Sequence, residues 1–283
     1  MFDTSNGNSS MKSNSAPGLA GLIGETRMFG EVTAFVLRGL LRRALPSTRR
    51  HGRRGVLLIP GFGAGDLTLS PLADRLRELD YRIFFSGIWC NVDCPVHMLI
   101  WLEKVLRKAS RKTRGKIVII GHSLGGIYAR ELACRFPDLV ERAILLGSPV
   151  KAPLEGSNTF LRPLFEWAHR RCPGRIAAAF APEVEMNRLP PRVPETLIYS
   201  KTDGVVQWQN CVETGAHVEA IEVQSSHCGL PFDPRAFEVI VDRLARHAER
   251  SRLVRANAAL TSHRRFHRFR TSLAAIKRSQ HVA

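Results

Sequence analysis

No stretch of this chain reaches the roughly 18 consecutive apolar residues that a membrane-spanning helix requires, so none is expected. Met1 to Gly18 is rich in Ser and Asn and lacks an apolar segment, so it does not read as a secretory signal. The six cysteines (Cys90, Cys94, Cys134, Cys172, Cys211 and Cys228) follow no paired spacing. Without an export signal, reduced thiols are the default. An exported form would permit a disulfide among Cys172, Cys211 and Cys228. Cys90, Cys94 and His97 resemble part of a zinc site, but no second Cys/His pair sits at ligand spacing, so no metal is expected. There is no internal repeat.

Acid is nearly absent from two stretches. Arg38 to Arg54 has seven arginines and no carboxylate, and Arg246 to Arg278 has ten Lys/Arg against Glu249 alone. These flanks hold almost all of the +17 net charge, and the body between them is near neutral. Such flanks suit acidic surfaces, either anionic lipid or nucleic acid. With no zinc-finger, helix-turn-helix or aromatic RNA-binding signature, specific nucleic-acid recognition is not expected, and peripheral contact with an anionic membrane is the reading kept. The protein is placed in the cytoplasm, at or near such a membrane.

Residues 1–18 read as disordered. In 19–54 a helix over 25–45 carries Phe29, Val32, Val36 and Leu40 on one face, followed by a basic linker. That helix is expected to pack on the body. From residue 55 to about 250, strand and helix patterns alternate. Strands are expected at 55–60, 81–86, 116–120, 140–146, 195–200 and 218–223. Helices are expected around Leu69–Leu79, Met98–Ala109, 124–136 and Phe237–Ala248. This predicts an α/β fold with a mostly parallel sheet covered by helices on both faces. Residues 151–190 break the rhythm with Pro153, Pro163, Pro173 and Pro182 among Phe160, Leu164, Phe165, Trp167 and Phe180, and read as a small helical cap over the strand ends. Residues 251–283 form a basic tail.

The chemistry centres on Gly121-His122-Ser123-Leu124-Gly125-Gly126, between the apolar strand Lys116–Ile120 and a helix pattern. A serine held between small residues at a strand-to-helix turn is exposed on a sharp bend, and the helix N-terminus behind it offers N–H groups to a developing oxyanion. A serine nucleophile needs a base, and the base needs an orienting carboxylate. Asp203, in Ser200-Lys201-Thr202-Asp203-Gly204, and His227, in Ser225-Ser226-His227-Cys228-Gly229, each follow a predicted strand, on the same rim as Ser123. His122 is a rival base by position only, because neighbours at a turn point apart, and His97, His169 and His217 lack a strand-end setting. Asp66 and Asp233 are rival acids.

With these motifs, and with Pro60-Gly61-Phe62-Gly63-Ala64-Gly65-Asp66 after the first strand, residues 55–250 resemble an α/β-hydrolase of the bacterial esterase/lipase type. The resemblance implies a catalytic Ser123–His227–Asp203 triad and an oxyanion hole from the backbone N–H groups of Phe62 and Leu124. It implies acyl transfer to water with no metal or organic cofactor. Gly87-Ile88-Trp89-Cys90-Asn91 resembles a turn of such lipases and receives no catalytic part. The first two strands of the larger fold are not evident before Gly55, which implies a reduced sheet. The apolar cap favours a lipid-like or medium-chain carboxylic ester as substrate. The same triad also serves thioesterases and acyltransferases, and a hydrolase fold can survive as a non-catalytic binding module.

Overall fold

The computed structural model describes residues 54–151 and 192–245. The chain divides into two compact units, Met1–Phe237 and Glu238–Ala283. In the second, the described residues 238–245 are helical.

Among the described residues, six strands form one sheet in the order β2-β1-β3-β4-β5-β6. They are β1 (Gly55–Ile59), β2 (Arg82–Phe85), β3 (Ile117–His122), β4 (Val140–Leu146), β5 (Glu195–Ser200) and β6 (Val218–Val223). Every neighbouring pair is parallel. Parallel neighbours need crossovers, and three helices lie in the connections from β1 to β4: α1 (Ser70–Glu78), α2 (Pro95–Thr113) and α3 (Leu124–Arg135).

The central strands read as unbroken apolar runs because both of their faces are covered. Successive side chains of β1 point to opposite faces, yet Val56, Leu57, Leu58 and Ile59 are all fully buried. Leu57, Ile59 and Ile119 share one core with Leu102 and Leu106 of α2 and with Tyr128 and Leu132 of α3. A proline in the first turn opens both α1 and α2. There its missing N–H costs nothing.

The sequence reading placed these elements closely, with two informative differences. β3 runs on to His122 because Gly121 and His122 pair with Leu145 and Leu146 of β4. The last helix begins at residue 234, ahead of its first apolar face residue, because Asp233 Oδ1 accepts from the N–H groups of Arg235 and Ala236 at 2.9 and 2.8 Å. That is an N-cap, satisfying donors the helix cannot satisfy itself.

The thiols depart from expectation. Cys94 is disulfide-bonded, so the fully reduced state is not what the structure holds. Cys211 and Cys228, considered above as disulfide partners, are not in a disulfide, nor are Cys90 and Cys134. A sulfur committed to a disulfide is not a thiolate ligand, which removes Cys94 from the zinc fragment. The segments 1–18, 25–45, 152–190 and 251–283, and Cys172, lie outside the described residues.

Among the described residues no helix is long and apolar enough to cross a membrane.

Candidate active site

Strand order sets the place. From β1 the chain crosses to β2 on one side and then returns to β3 on the other, so the loops after β1 and β3 diverge at a switch point. Open parallel sheets form their ligand crevice at such a point, outside the strands' C-terminal ends.

Ser123 is the hinge between β3 and α3, with φ 52° and ψ −121°. A side chain at positive φ is strained, and such strain persists only where the surroundings hold it. Two contacts hold it here. The Ser123 N–H donates to Leu146 O at 2.8 Å, and Ser123 O accepts from the Gly126 N–H at 2.9 Å. Close packing completes the bend. A Cβ on Gly125 would lie 2.3 Å from Ile59 O and 2.6 Å from Pro60 O, so only glycine lets α3 start this close to the end of β1. Leu124 opens α3, where an N–H has no acceptor within its own helix.

Asp203 and His227 come from the loops after β5 and β6. Asp203 Oδ2 lies 2.6 Å from His227 Nδ1, and both side chains are almost wholly buried. The carboxylate's other oxygen accepts from the N–H groups of Val205 at 2.8 Å and Val206 at 2.7 Å. A carboxylate only accepts, so Nδ1 carries the proton and Nε2 is left with its lone pair.

Hydroxyls stitch these two loops together. Ser200 Oγ accepts from the N–H of Thr202 and from that of Ser225, each at 3.1 Å, and Thr202 Oγ1 donates to Ser225 O at 3.0 Å. Gly147, after β4, sits against the pair at φ +57°. A Cβ there would stand 3.1 Å from His227 Nδ1 and 3.2 Å from Asp203 Oδ2.

The serine side and the imidazole side meet through His122. Its Nε2 donates to His227 O at 2.9 Å, and the two rings stand 4.9 Å apart between centroids. Burial, with the neighbouring His227 adding to it, pushes the His122 imidazole down to about 3. His122 is therefore neutral, and its one proton sits on Nε2, committed to the carbonyl. It is a tether, and a poor candidate for a base.

Phe62 lies in the loop after β1, between Gly61 and Gly63, with its side chain against the core. Gly61 backs onto the elbow: a Cβ there would be 3.1 Å from Ser123 Cβ. The turn at 87–91 braces this loop. Asn91 Nδ2 donates to Pro60 O at 2.9 Å, its N–H donates to Ala64 O at 2.9 Å, and its carbonyl accepts from the Gly63 N–H at 3.0 Å. Asp66 fastens the far end, its carboxylate accepting from Ser86 Oγ at 2.6 Å and the Gly87 N–H at 2.6 Å. The work of Asn91 and His122 escaped the sequence reading. The only signals were an asparagine in a noted turn and a histidine beside the candidate nucleophile.

The structure thus brings Asp203 and His227 into contact and places Ser123 beside the residue that grips His227. Of the rival acids, Asp66 is bound to the 86–87 turn and Asp233 caps a helix. Among the described residues, no group of His, Cys, Asp and Glu could hold a metal ion.

The architecture is similar to that of solved lipases. The mature form of Bacillus licheniformis lipase BlEst2 superposes with a TM-score of 0.52 at 15% identity, covering 68% of this chain and 92% of that one. Aspergillus fumigatus lipase B gives 0.51 at 16% identity, covering 70% and 55%. At such identities the likeness is one of fold. No curated protein matches the chain in sequence. The sequence profile described as "Alpha/beta hydrolase family" matches residues 28–280, nearly the whole chain, and the protein is thereby a member of that family.

Proposed function

We propose that the protein is a serine hydrolase acting on carboxylic esters, with Ser123 as nucleophile, His227 as general base and acid, and Asp203 as the carboxylate that orients the base. The observation that carries this reading is the 2.6 Å contact between Asp203 Oδ2 and His227 Nδ1, made by a carboxylate whose other oxygen is already held by two main-chain N–H groups. That arrangement fixes the tautomer a general base needs.

In the proposed reaction His227 Nε2 takes the Ser123 proton as the hydroxyl oxygen attacks the ester carbonyl. The oxyanion of the tetrahedral intermediate is met by the N–H groups of Phe62 and Leu124, and each such donor is worth about 3–4 kcal/mol of transition-state stabilisation. The imidazolium, its charge offset by Asp203, protonates the departing alcohol. Water then attacks the acyl-enzyme as His227 takes its proton, and collapse of the second intermediate releases the acid while His227 returns the proton to Ser123 Oγ. The residues alone supply this chemistry.

A lipid-like or medium-chain acyl group is the proposed substrate class. The apolar side chains at 160–180 support it, lying in the sequence directly after the loop that follows β4. Hydrolysis of p-nitrophenyl esters of increasing chain length tests both parts. The reading expects kcat/KM to rise from acetate to medium chains and to vanish in Ser123→Ala. A steady fall beyond acetate contradicts the substrate class, and an active Ser123→Ala contradicts the mechanism.

A further inference from the structure

One face of α2 takes no part in the site or the core. Its exposed positions include Ile100, Trp101, Lys104, Arg107, Lys108 and Arg111, at the three- and four-residue spacing that gathers side chains on a single helix face. The face is divided lengthwise. Near the N-terminus Ile100 and Trp101 are 50% and 47% exposed, and beyond them it is cationic. The single acid of α2, Glu103, is taken up by Arg107 at 2.8 Å.

The apolar end continues off the helix. Trp101 Nε1 donates to Ser86 O at 2.8 Å, so its ring lies along the 86–87 turn. Trp89, in the same turn, is 85% exposed, and Leu67, beside the Asp66 that holds this turn, is 72% exposed. Large apolar side chains this open to water, grouped together, are uncommon on a protein surface and mark a contact. This group sits on the brace of the loop that backs Ser123.

We infer that the outer face of α2, with Leu67 and Trp89, is a docking surface for a bilayer containing anionic lipid, seating the site loop at the membrane surface. Two features favour lipid over other acidic partners. Trp at an apolar–polar boundary next to Ile and Leu fits the headgroup level, where the rings find both environments. The Lys/Arg row lies beside that apolar end, so anionic headgroups meet the cations as the rings enter the interface. A nucleic-acid backbone would satisfy the row and leave Leu67 and Ile100 in water. The surface differs from the basic flanks and stands whether or not Ser123 is the nucleophile.

The full-length protein is sedimented with vesicles of phosphatidylcholine alone and of phosphatidylcholine with phosphatidylglycerol. Two triple variants of equal charge change are compared: Lys104→Glu/Lys108→Glu/Arg111→Glu on α2, and Arg264→Glu/Arg265→Glu/Arg268→Glu in the C-terminal segment. The expected result is binding to the anionic vesicles, weakened about a hundredfold or more by the α2 variant and far less by the C-terminal one. Trp89→Ser should weaken binding about tenfold and reduce the tryptophan blue shift seen on adding vesicles, leaving the part that Trp101 contributes. Hydrolysis of a soluble ester, unchanged in the α2 variant, shows that its fold is intact and reads the catalytic proposal separately. Binding lost in the C-terminal variant and kept in the α2 variant overturns the inference. So does an α2 face that retains duplex DNA while the protein ignores anionic vesicles.

Discussion

The two sides of the site are built from different materials. The serine side, β3 to α3, is made of backbone: a strained φ at Ser123, a glycine at 125 pressed against two main-chain carbonyls, and ladder bonds to β4. The imidazole side, after β5 and β6, is made of side chains: the Asp203 carboxylate and the Ser200 and Thr202 hydroxyls hold the two loops in register. Two bridges join the sides. His122 reaches His227 O at the rim. Away from it, the buried Arg130 of α3 faces Glu195, the first residue of β5, at 3.8 Å and is also paired with Glu213. A backbone-built side tolerates no added atom, whereas a side-chain-built one can lose a single function with its shape preserved.

The largest effect expected on the imidazole side is chemical. Asp203→Asn keeps an oxygen for Val205 and Val206 but turns a donor toward His227, forcing the wrong tautomer. Steady-state kinetics should show kcat lower by about 10⁴-fold, with the melting temperature shifted little. A loss confined to KM would contradict the assignment. On the serine side the corresponding break is structural. Gly125→Ala puts a methyl carbon 2.3 Å from Ile59 O, a main-chain atom that cannot swing aside. Chemical denaturation should show a loss of about 3 kcal/mol or more. Near-native stability would mean that the elbow is looser than described.

The buried bridge answers to pH. Burial, partly countered by Arg130, pushes the Glu195 carboxyl up to about 7 from its ordinary value of 4.5. The folded state therefore binds the proton more tightly than the unfolded chain. Stability from this group is present in full below pH 4.5 and is lost as pH rises through 7. The loss is about 3 kcal/mol across that window, and Glu195→Gln should remove it from the pH dependence of denaturation. An unchanged slope would show that Glu195 does not titrate there.

The rim bridge gives the smallest effect. His122→Phe leaves His227 O with only the longer 3.4 Å bond from the Leu230 N–H, while filling much the same space. A lost buried hydrogen bond of this kind corresponds to about ten- to a hundredfold in kcat, with KM nearly constant and activity restored in part by His122→Gln. Equal kinetics in all three proteins would remove the tether from the account.

The same contrast explains what could be read from the sequence. Backbone geometry leaves a dense local record: Gly121-His122-Ser123-Leu124-Gly125-Gly126 after a β-branched run names a strand, a bend and a helix within a few residues. Asp203 and His227 are legible because each stands just past an apolar strand, whereas Asp66 lies in the expected oxyanion loop and Asp233 follows the histidine too closely to orient it easily. The structure gives each rival other work: Asp66 is held by Ser86, distant in sequence, and Asp233 caps the helix that directly follows it. Asn91 and His122 act by bonds spanning 31 and 105 residues, which no local pattern records. The disulfide at Cys94 was missed for the same reason: a thiol's state depends on what folds against it. The basic flanks were conspicuous as runs of charge. Of the cationic face of α2, spread at helical spacing among core residues, only the basic end of the helix stands out in the sequence.

The central claim is that the strained elbow and the tethered imidazole together make Ser123 reactive. Intact-mass and peptide-level spectrometry after treatment with a fluorophosphonate ester tests it most directly. The account predicts a single adduct on Ser123, absent in Ser123→Ala and formed far more slowly in His227→Ala. Equal labelling of wild type and Ser123→Ala, or an adduct on another residue, would contradict it.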